Sequence, residues 1–403
     1  MLSNLHFSDM AKPNRYYEEG MNVPILLWLD NIDEEALKQA VNVASLPFIF
    51  HHVSLMPDSH VGYGVPIGCV MATKNYIVPN AVGVDVGCGM CVIRTNLTEI
   101  ERDTLIAIMN DIKNCIPVGK NWHNHSDYKD YLPEVDSVSN IKDSVVIKNL
   151  EKASRYIGTL GGGNHFIEIQ RGNDGFIYIM LHSGSRNLGK QVCDHYNNLA
   201  KEINKKYFSK VPADWGLAFL PFDSDEGRNY FKEMRYCVDF ALANRKVMMD
   251  LIKDIFKTYI DSVEFDNFIN INHNYASIEN HYGENVFIHR KGATKATEKT
   301  IGIIPGSQGS YSYIVKGKGN AESFMSSSHG AGRVLSRNKA RSELNLEEEQ
   351  RKLDEKGIIH SLKNVNDLDE ASSAYKDISI VMENQKNLVD IVVELSPLAV
   401  IKG

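Results

Sequence analysis

The pattern of apolar and polar positions predicts alternating helical and strand-like stretches. A short β region comes first, followed by a helix at 31–44. Asp33, Glu34 and Glu35 sit in its first turn, where the helix dipole favours acids. From 48 to 97 the chain turns rich in Val, Ile and Gly with few charges, predicting buried strands with tight turns and close backbone approaches. Residues 98–155 are more polar and read as helices with surface loops; WHNHSDYKDYLPEVDSV reads as a mobile insertion. A second Gly-rich core at 157–190 precedes a helical region at 188–258, whose later part carries an apolar stripe at helical spacing. A third β and glycine region spans 269–337. The charged stretch ELNLEEEQRKLDEKG reads as helix, as do residues 378–394 near the end. The Gly-rich segments are spread through the chain and separated by helical ones, with no repeat and no Pro/Ser-rich linker. This predicts an α+β fold in which 1–403 form a single large interwoven domain, a Gly-rich β core with flanking helices.

Composition narrows the picture modestly. The 403 residues are 43% hydrophobic and 24% charged, enough for a large core. No apolar run approaches the roughly 20 residues that span a bilayer, and MLSNLHFSDMAKPNRYY lacks the pattern of a signal peptide. A cytoplasmic protein without a membrane partner is expected. The net charge of -7 argues mildly against a generic polyanion binder but permits a local basic cleft. HRKG at 289–292, KGKGN at 316–320 and RVLSRNKAR at 333–341 offer the charge for one. Six sparse, irregularly spaced cysteines argue against a disulfide framework.

The chemistry concentrates where Asp, Cys or His stands beside glycine. Such places are Asp85-Val-Gly-Cys88-Gly, Gly-Gly-Asn164-His165, Leu-His182-Ser-Gly-Ser-Arg186 and Asn272-His273-Asn-Tyr. Glycine lets the backbone fold closely around an ion or a phosphate. One Asp, one Cys and three His form a donor set suited to a divalent transition metal, because a soft thiolate disfavours magnesium. The bland reading, hydrogen-bonded core histidines, stands beside it. Cys88-Gly-Met-Cys91 has CxxC spacing, but no second CxxC supports a structural zinc site. Ser-Ser-Ser-His329-Gly-Ala-Gly-Arg333 sets a histidine among donors able to hold phosphate oxygens. A P-loop and a KxDG-type lysine nucleophile are both absent.

Together the strings MPDSHVGYG, VGVDVGCGM, GTLGGGNHFIEI, LHSGSRNLG, NHNY, RKGA, GIIPGSQGS, SSSHGAGRVLSR, AYKDI and the terminal KG resemble the RtcB family of RNA ligases. They run in the family's order from about residue 47 to residue 403. The resemblance implies that Asp85, Cys88, His165, His182 and His273 hold two manganese ions with Cys88 bridging, and that His329 attacks the α-phosphorus of GTP. It implies nucleotide contacts at Asn164, Glu168, Ser312, Gly330, Ala331, Gly332, Tyr375 and Lys402, with Glu168 and Lys402 near the guanine. Arg186 and Arg337 match positions that touch RNA or phosphate; Asp58 lies near the metals in the PDxH element without a defined role. The implied reaction joins RNA 3′-phosphate or 2′,3′-cyclic phosphate ends to 5′-hydroxyl ends, in tRNA splicing or RNA repair. A GMP-capping enzyme that does not seal, and a non-catalytic RNA-binding protein, are the competing readings. Asn272, Gln308, Ser59, Asn187 and the GGGNH string depart from the family pattern without removing a ligand or the nucleophile. Protein partners, oligomeric state and the physiological RNA are left open.

Overall fold

Local sequence rules account for most of the helices. In the computed structural model, which describes residues 13–403, the expected N-terminal helix is Glu34–Ala44. The Asp33 carboxylate caps it, accepting from the amides of Glu35 at 2.9 Å and Ala36 at 3.2 Å. The signal-peptide reading of the first twelve residues lies outside the described residues. The helical region expected at 188–258 is two helices, Arg186–Lys206 and Asp225–Tyr259, the second capped by Ser224. Pro212 and Pro221 lie in the connection, where a missing N–H costs little. The insertion at 122–138 is tied down: Tyr128 and Leu132 pack on an apolar cluster, and the His123 ring bonds the Gly158 carbonyl oxygen at 3.1 Å.

Two sheets carry the rest. The first has six strands in the order Asn14–Tyr16, Ile25–Leu27, Ile49–Tyr63, Val65–Thr73, Glu284–Lys291, Asn274–His281. Its one parallel pairing joins Ile25–Leu27 to Ile49–Tyr63. The second has seven, all antiparallel: Phe265–Asn272, Gly89–Thr95, Ile177–Ser183, Phe166–Gly172, Val389–Lys402, Ser312–Gly317, Ile301–Ile304. Helices Arg102–Cys115 and Asp225–Tyr259 cover one face of this sheet. Ile108, Ile112, Met248, Ile252 and Phe256 bury Ile93, Ile167 and Ile179 there. The central strand Ile177–Ser183 is buried along its whole length, hence its unbroken apolar run.

The expected helix at 378–394 requires correction. Helix ends at Asn384, and Val389–Lys402 is a fourteen-residue strand between Phe166–Gly172 and Ser312–Gly317. The β-branched run Ile391-Val392-Val393 fits a pleated surface, and two partner strands satisfy its backbone. Tertiary pairing overrides the helix reading. No helix among the described residues is long and apolar enough to cross a membrane.

The register of the second sheet sets up the site. Met90 and Phe166 both pair with His182, Gly89 pairs with Asn272, and Lys402 pairs with Phe166. Cys88 and His165 immediately precede strands and His273 immediately follows one, so all lie at one edge of the sheet.

Candidate functional site

At that edge the predicted donors converge in two groups. Cys88, His182 and His273 form one; Asp85, Cys88 and His165 form the other. Within each, the ligand atoms lie within 4.8 Å of one another. Cys88 belongs to both, with its Sγ 3.2 Å from His182 Nε2 and 3.5 Å from His165 Nε2. His165 Nε2 is 3.2 Å from Asp85 Oδ2, and His182 Nε2 is 3.4 Å from His273 Nε2.

Backbone carbonyls set the tautomers. His165 Nδ1 lies 2.9 Å from the Leu160 oxygen and His182 Nδ1 lies 3.1 Å from the Asn164 oxygen. A carbonyl only accepts, so each Nδ1 carries the proton and each Nε2 turns a lone pair toward the thiol. Lone pairs, a thiol and a carboxylate facing one another suit a shared cation, and the mixture of sulfur, imidazole and carboxylate suits a transition metal. Burial keeps the rings neutral: it is the largest influence drawing His182 and His273 well below the usual histidine range, with neighbouring histidines adding to it.

His329 stands next to this cluster, its ring 4.7 Å from that of His273. It follows the short strand Ser326–Ser328, which pairs with Ala293–Lys295, and Gln385 fixes the strand's end by accepting from the Ser328 amide at 3.0 Å. Asp58, wholly buried on the strand Ile49–Tyr63, supplies one carboxylate oxygen to three donors. These are His329 Nδ1 at 2.6 Å, the His329 amide at 3.1 Å and the Gly330 amide at 3.3 Å. Burial acts to raise the Asp58 pKa, but the charge and hydrogen bond of His329 outweigh it and hold the carboxyl below its ordinary value. Lys376, from the AYKDI string, ties the same strand down by donating to the carbonyls of Pro57 at 3.1 Å and Ser59 at 2.6 Å. Gly332 is obligatory: its φ is +75° and a Cβ would come 2.2 Å from the backbone carbonyl oxygen of Asp58.

A cavity of about 470 Å³ opens beside His329 and reaches His182 of the metal-type cluster. Asn164, Glu168, Gly330, Ala331, Gly332, Tyr375, Lys402 and Arg337 line it. Ser312 lies behind the wall, where its hydroxyl accepts from Gln170 at 3.1 Å and the Gly306 amide at 3.2 Å. Arg186 is on the far side. It donates to Thr159 Oγ1 at 2.9 Å and the Gly119 oxygen at 2.8 Å, close enough to Asp85 for the two charges to interact. Within the cavity, burial pushes Glu168 up to about 8 against the pull of Lys402 and a hydrogen bond from Gln170. Burial in turn lowers Lys402, while Glu370 and Glu168 hold it up.

Residue-type reasoning misses several parts of this arrangement. Glu370 gathers the cavity's cations: its carboxylate takes Arg337 Nε at 3.0 Å and Arg333 Nη1 at 3.2 Å, and accepts from the Tyr375 hydroxyl. Asn244 and Arg245, on the long helix, reach the loops beneath the histidines. The basic cleft is only partly as expected. Arg333, Arg337 and Lys339 line the cavity, whereas Arg290 is buried against Glu279 and Lys291 is buried on the carbonyls of Tyr63 and Val65. Lys318 pairs with Asp390 at 2.7 Å. The departing residues have local partners. Asn272 accepts from Arg245, Gln308 donates to the Glu370 carbonyl at 2.9 Å, and Ser59 donates to the Gly68 carbonyl at 3.2 Å.

The chain matches the family model described as tRNA-splicing ligase RtcB over residues 39–403. It is 35% identical to the RNA-splicing ligase RtcB of Escherichia coli K12, across 95% of this chain and 98% of that one. It is 32% identical to the tRNA-splicing ligase RtcB of Methanococcus maripaludis and 34% identical to that of Nanoarchaeum equitans, each across 96% of both chains.

Proposed function

The chain belongs to the RtcB family, and from that membership we propose that it is an RNA ligase working through a guanylylated His329, with 1–403 acting as one cytoplasmic ligase domain. The observation that carries the reading is the bond between His329 Nδ1 and Asp58. A carboxylate only accepts, so Nδ1 keeps its proton and Nε2 retains the lone pair that a nucleophile needs.

Nε2 attacks the α-phosphorus of GTP. The N–P bond forms, the bond to the bridging oxygen breaks, and pyrophosphate leaves with the electron pair. Asp58 balances the positive charge that develops on the ring. A cyclic phosphate end is opened by water to a 3′-phosphate. An oxygen of that phosphate then takes the phosphorus from His329, the N–P electrons return to Nε2, and an RNA–pp–G end results. Finally the 5′-hydroxyl of the second RNA attacks the 3′-phosphorus and GMP leaves, a far better leaving group than the oxide a bare monoester would expel.

Cys88 would hold two manganese ions in common, one with Asp85 and His165 and one with His182 and His273. Ions held by these residues would supply charge neutralisation for the phosphates. Asn164 and the Gly330–Ala331–Gly332 turn receive the phosphates. Tyr375, Glu168 and Lys402 serve the nucleoside, with Ser312 behind them linked through Gln170 to Glu168, and Arg186 and Arg337 serve RNA phosphate. The substrates are RNA ends bearing a 3′-phosphate or 2′,3′-cyclic phosphate and a 5′-hydroxyl.

The test is incubation of the whole chain with GTP labelled at the α-phosphate, with and without Mn²⁺, for wild type and His329→Ala. Acid-labile label that needs Mn²⁺ and is absent from the variant is the expected result. RNA with both ends then separates a sealed product from an accumulating capped end. No label on Mn²⁺-loaded wild type overturns the reading and leaves RNA binding without catalysis.

A further inference from the structure

Two consecutive residues of the helix Asp225–Tyr259, Asn244 and Arg245, are fully buried among its apolar stripe. Neither belongs to the donor groups, and neither lines the cavity. Nη1 of Arg245 donates to the carbonyl oxygens of Gly87 at 3.1 Å and Ser183 at 2.8 Å. Nη2 donates to Asn272 Oδ1, and Nε to Asn270 Oδ1 at 2.7 Å. Gly87 precedes Cys88, Ser183 follows His182, and Asn272 precedes His273. One guanidinium therefore touches the neighbour of every residue in the Cys88–His182–His273 group.

Asn244 reaches the Ser183 hydroxyl at 3.1 Å and otherwise serves the other side. Its Oδ1 accepts from the amides of Gly158 at 2.8 Å and Thr159 at 3.1 Å, and its Nδ2 faces the carbonyls of Thr159 and Gly184, each at 3.1 Å. Thr159 leads into Leu160, whose oxygen sets the His165 tautomer, and Gly184 lies directly against the Asp85 carboxylate.

Arg245 has only neutral acceptors in contact, and no carboxylate among the described residues pairs with it. A buried cation without a counter-ion is expensive unless something nearby is anionic. Cys91, Cys88 and Asp85 all lie within its electrostatic reach, and of these Cys88 and Asp85 belong to the donor groups.

Building on the two-ion reading given above, we infer that Arg245 and Asn244 are positioning residues for the metal centre. Arg245 aligns the Cys88–His182–His273 group and Asn244 the Asp85–Cys88–His165 group, so that one helix turn supplying no ligand sets the spacing between the two ions. The planar fork is the point. It satisfies four acceptors at fixed angles, which the single ammonium of a lysine does not.

The test is titration of the whole chain with Co²⁺, followed by thiolate-to-cobalt absorption in the near ultraviolet, with folding checked by near-ultraviolet circular dichroism. Arg245→Lys keeps the charge and loses the fork. It is expected to weaken one of the two ions by about 10- to 100-fold, the range for partners that orient metal ligands. The loss should largely vanish in a His273→Ala background and persist in a His165→Ala background, a pattern that general destabilisation does not produce. Should Arg245→Lys not fold, Asn272→Ala cuts the link to His273 alone and is expected to give the same pattern with a smaller loss. Wild-type affinity and absorption in the variants, or equal losses in both backgrounds, overturns the inference. Absence of thiolate–cobalt absorption in wild type itself strikes the two-ion reading, and the inference falls with it.

Discussion

Replacing Asp58 by asparagine removes one negative charge at a point where three N–H donors meet a single carboxylate oxygen. The amide is nearly isosteric, so its carbonyl oxygen can keep both backbone bonds. What changes is the bond to His329 Nδ1. A hydrogen bond to a charged acceptor contributes about 1.5–3 kcal/mol and a neutral one about 1. The positive charge that grows on the ring during attack draws on that difference. With the ring cationic in the transition state the upper end of that difference applies, and a loss of about 2 kcal/mol corresponds to roughly 30-fold in rate. If the amide instead turns its NH₂ toward Nδ1, the proton moves to Nε2 and the lone pair is lost. The matching change in Ser–His–Asp hydrolases costs about 10⁴-fold. Asp58→Asn is therefore expected to slow guanylylation between about 30- and 10⁴-fold, with metal content unchanged. The assay is single-turnover labelling from GTP labelled at the α-phosphate, read against melting temperature. A rate within about threefold of wild type, in a protein that still requires His329, would refute the reasoning that Asp58 sets the tautomer and charge of the nucleophile.

Two further outcomes follow from the same geometry. Because Cys88 is common to both donor groups, Cys88→Ala is expected to lose both ions by elemental analysis of Mn²⁺-loaded protein, whereas His165→Ala and His273→Ala each retain one; a Cys88→Ala protein still holding two ions would separate the groups. Glu168, pushed up to about 8 in the folded protein from an ordinary 4.5, keeps a proton that the unfolded chain releases. Its contribution to stability is full below about 4.5 and is lost as pH rises through about 8, so wild-type melting temperature should fall across that window more steeply than that of Glu168→Gln; parallel curves would contradict the assignment.

The sequence made the donors legible because four of the five stand within two residues of a glycine, His273 being the exception, and the structure brings Asp85, Cys88, His165, His182 and His273 to one end of the sheet. The helix capped by Asp33 was equally readable, since a cap is a local event. Less was visible where meaning depends on a distant partner. Val389–Lys402 read as helix because its strand pairing is with residues far away in sequence. Asp58 could be named but not given a role, since the residue it orients lies 271 positions further on. Glu370, Asn244 and Arg245 carried no signal at all: nothing in a charged residue or an amide announces which ends of which loops it will bind. The charge pattern misled for a related reason, because Arg290 and Lys291 spend their charges inside the protein.

The proposed nucleophile and the acid bonded to it belong to different sheets from the metal-type residues. Asp58 comes from the six-stranded sheet, His329 follows a strand of a two-stranded one, and the donors sit on the edge of the seven-stranded sheet. Each large sheet is itself assembled from early and late stretches of chain. Such long-range pairings close slowly. A chain emerging from the ribosome has all five donors before it has His329, and His329 before the strand Val389–Lys402 that completes the sheet beside them. On the proposed function, the complete site therefore needs segments from both ends of this order, the early donors and the late strand Val389–Lys402. A fragment ending before Val389 would carry all five donors and His329 but lack the strand that pairs with Phe166–Gly172 and Ser312–Gly317.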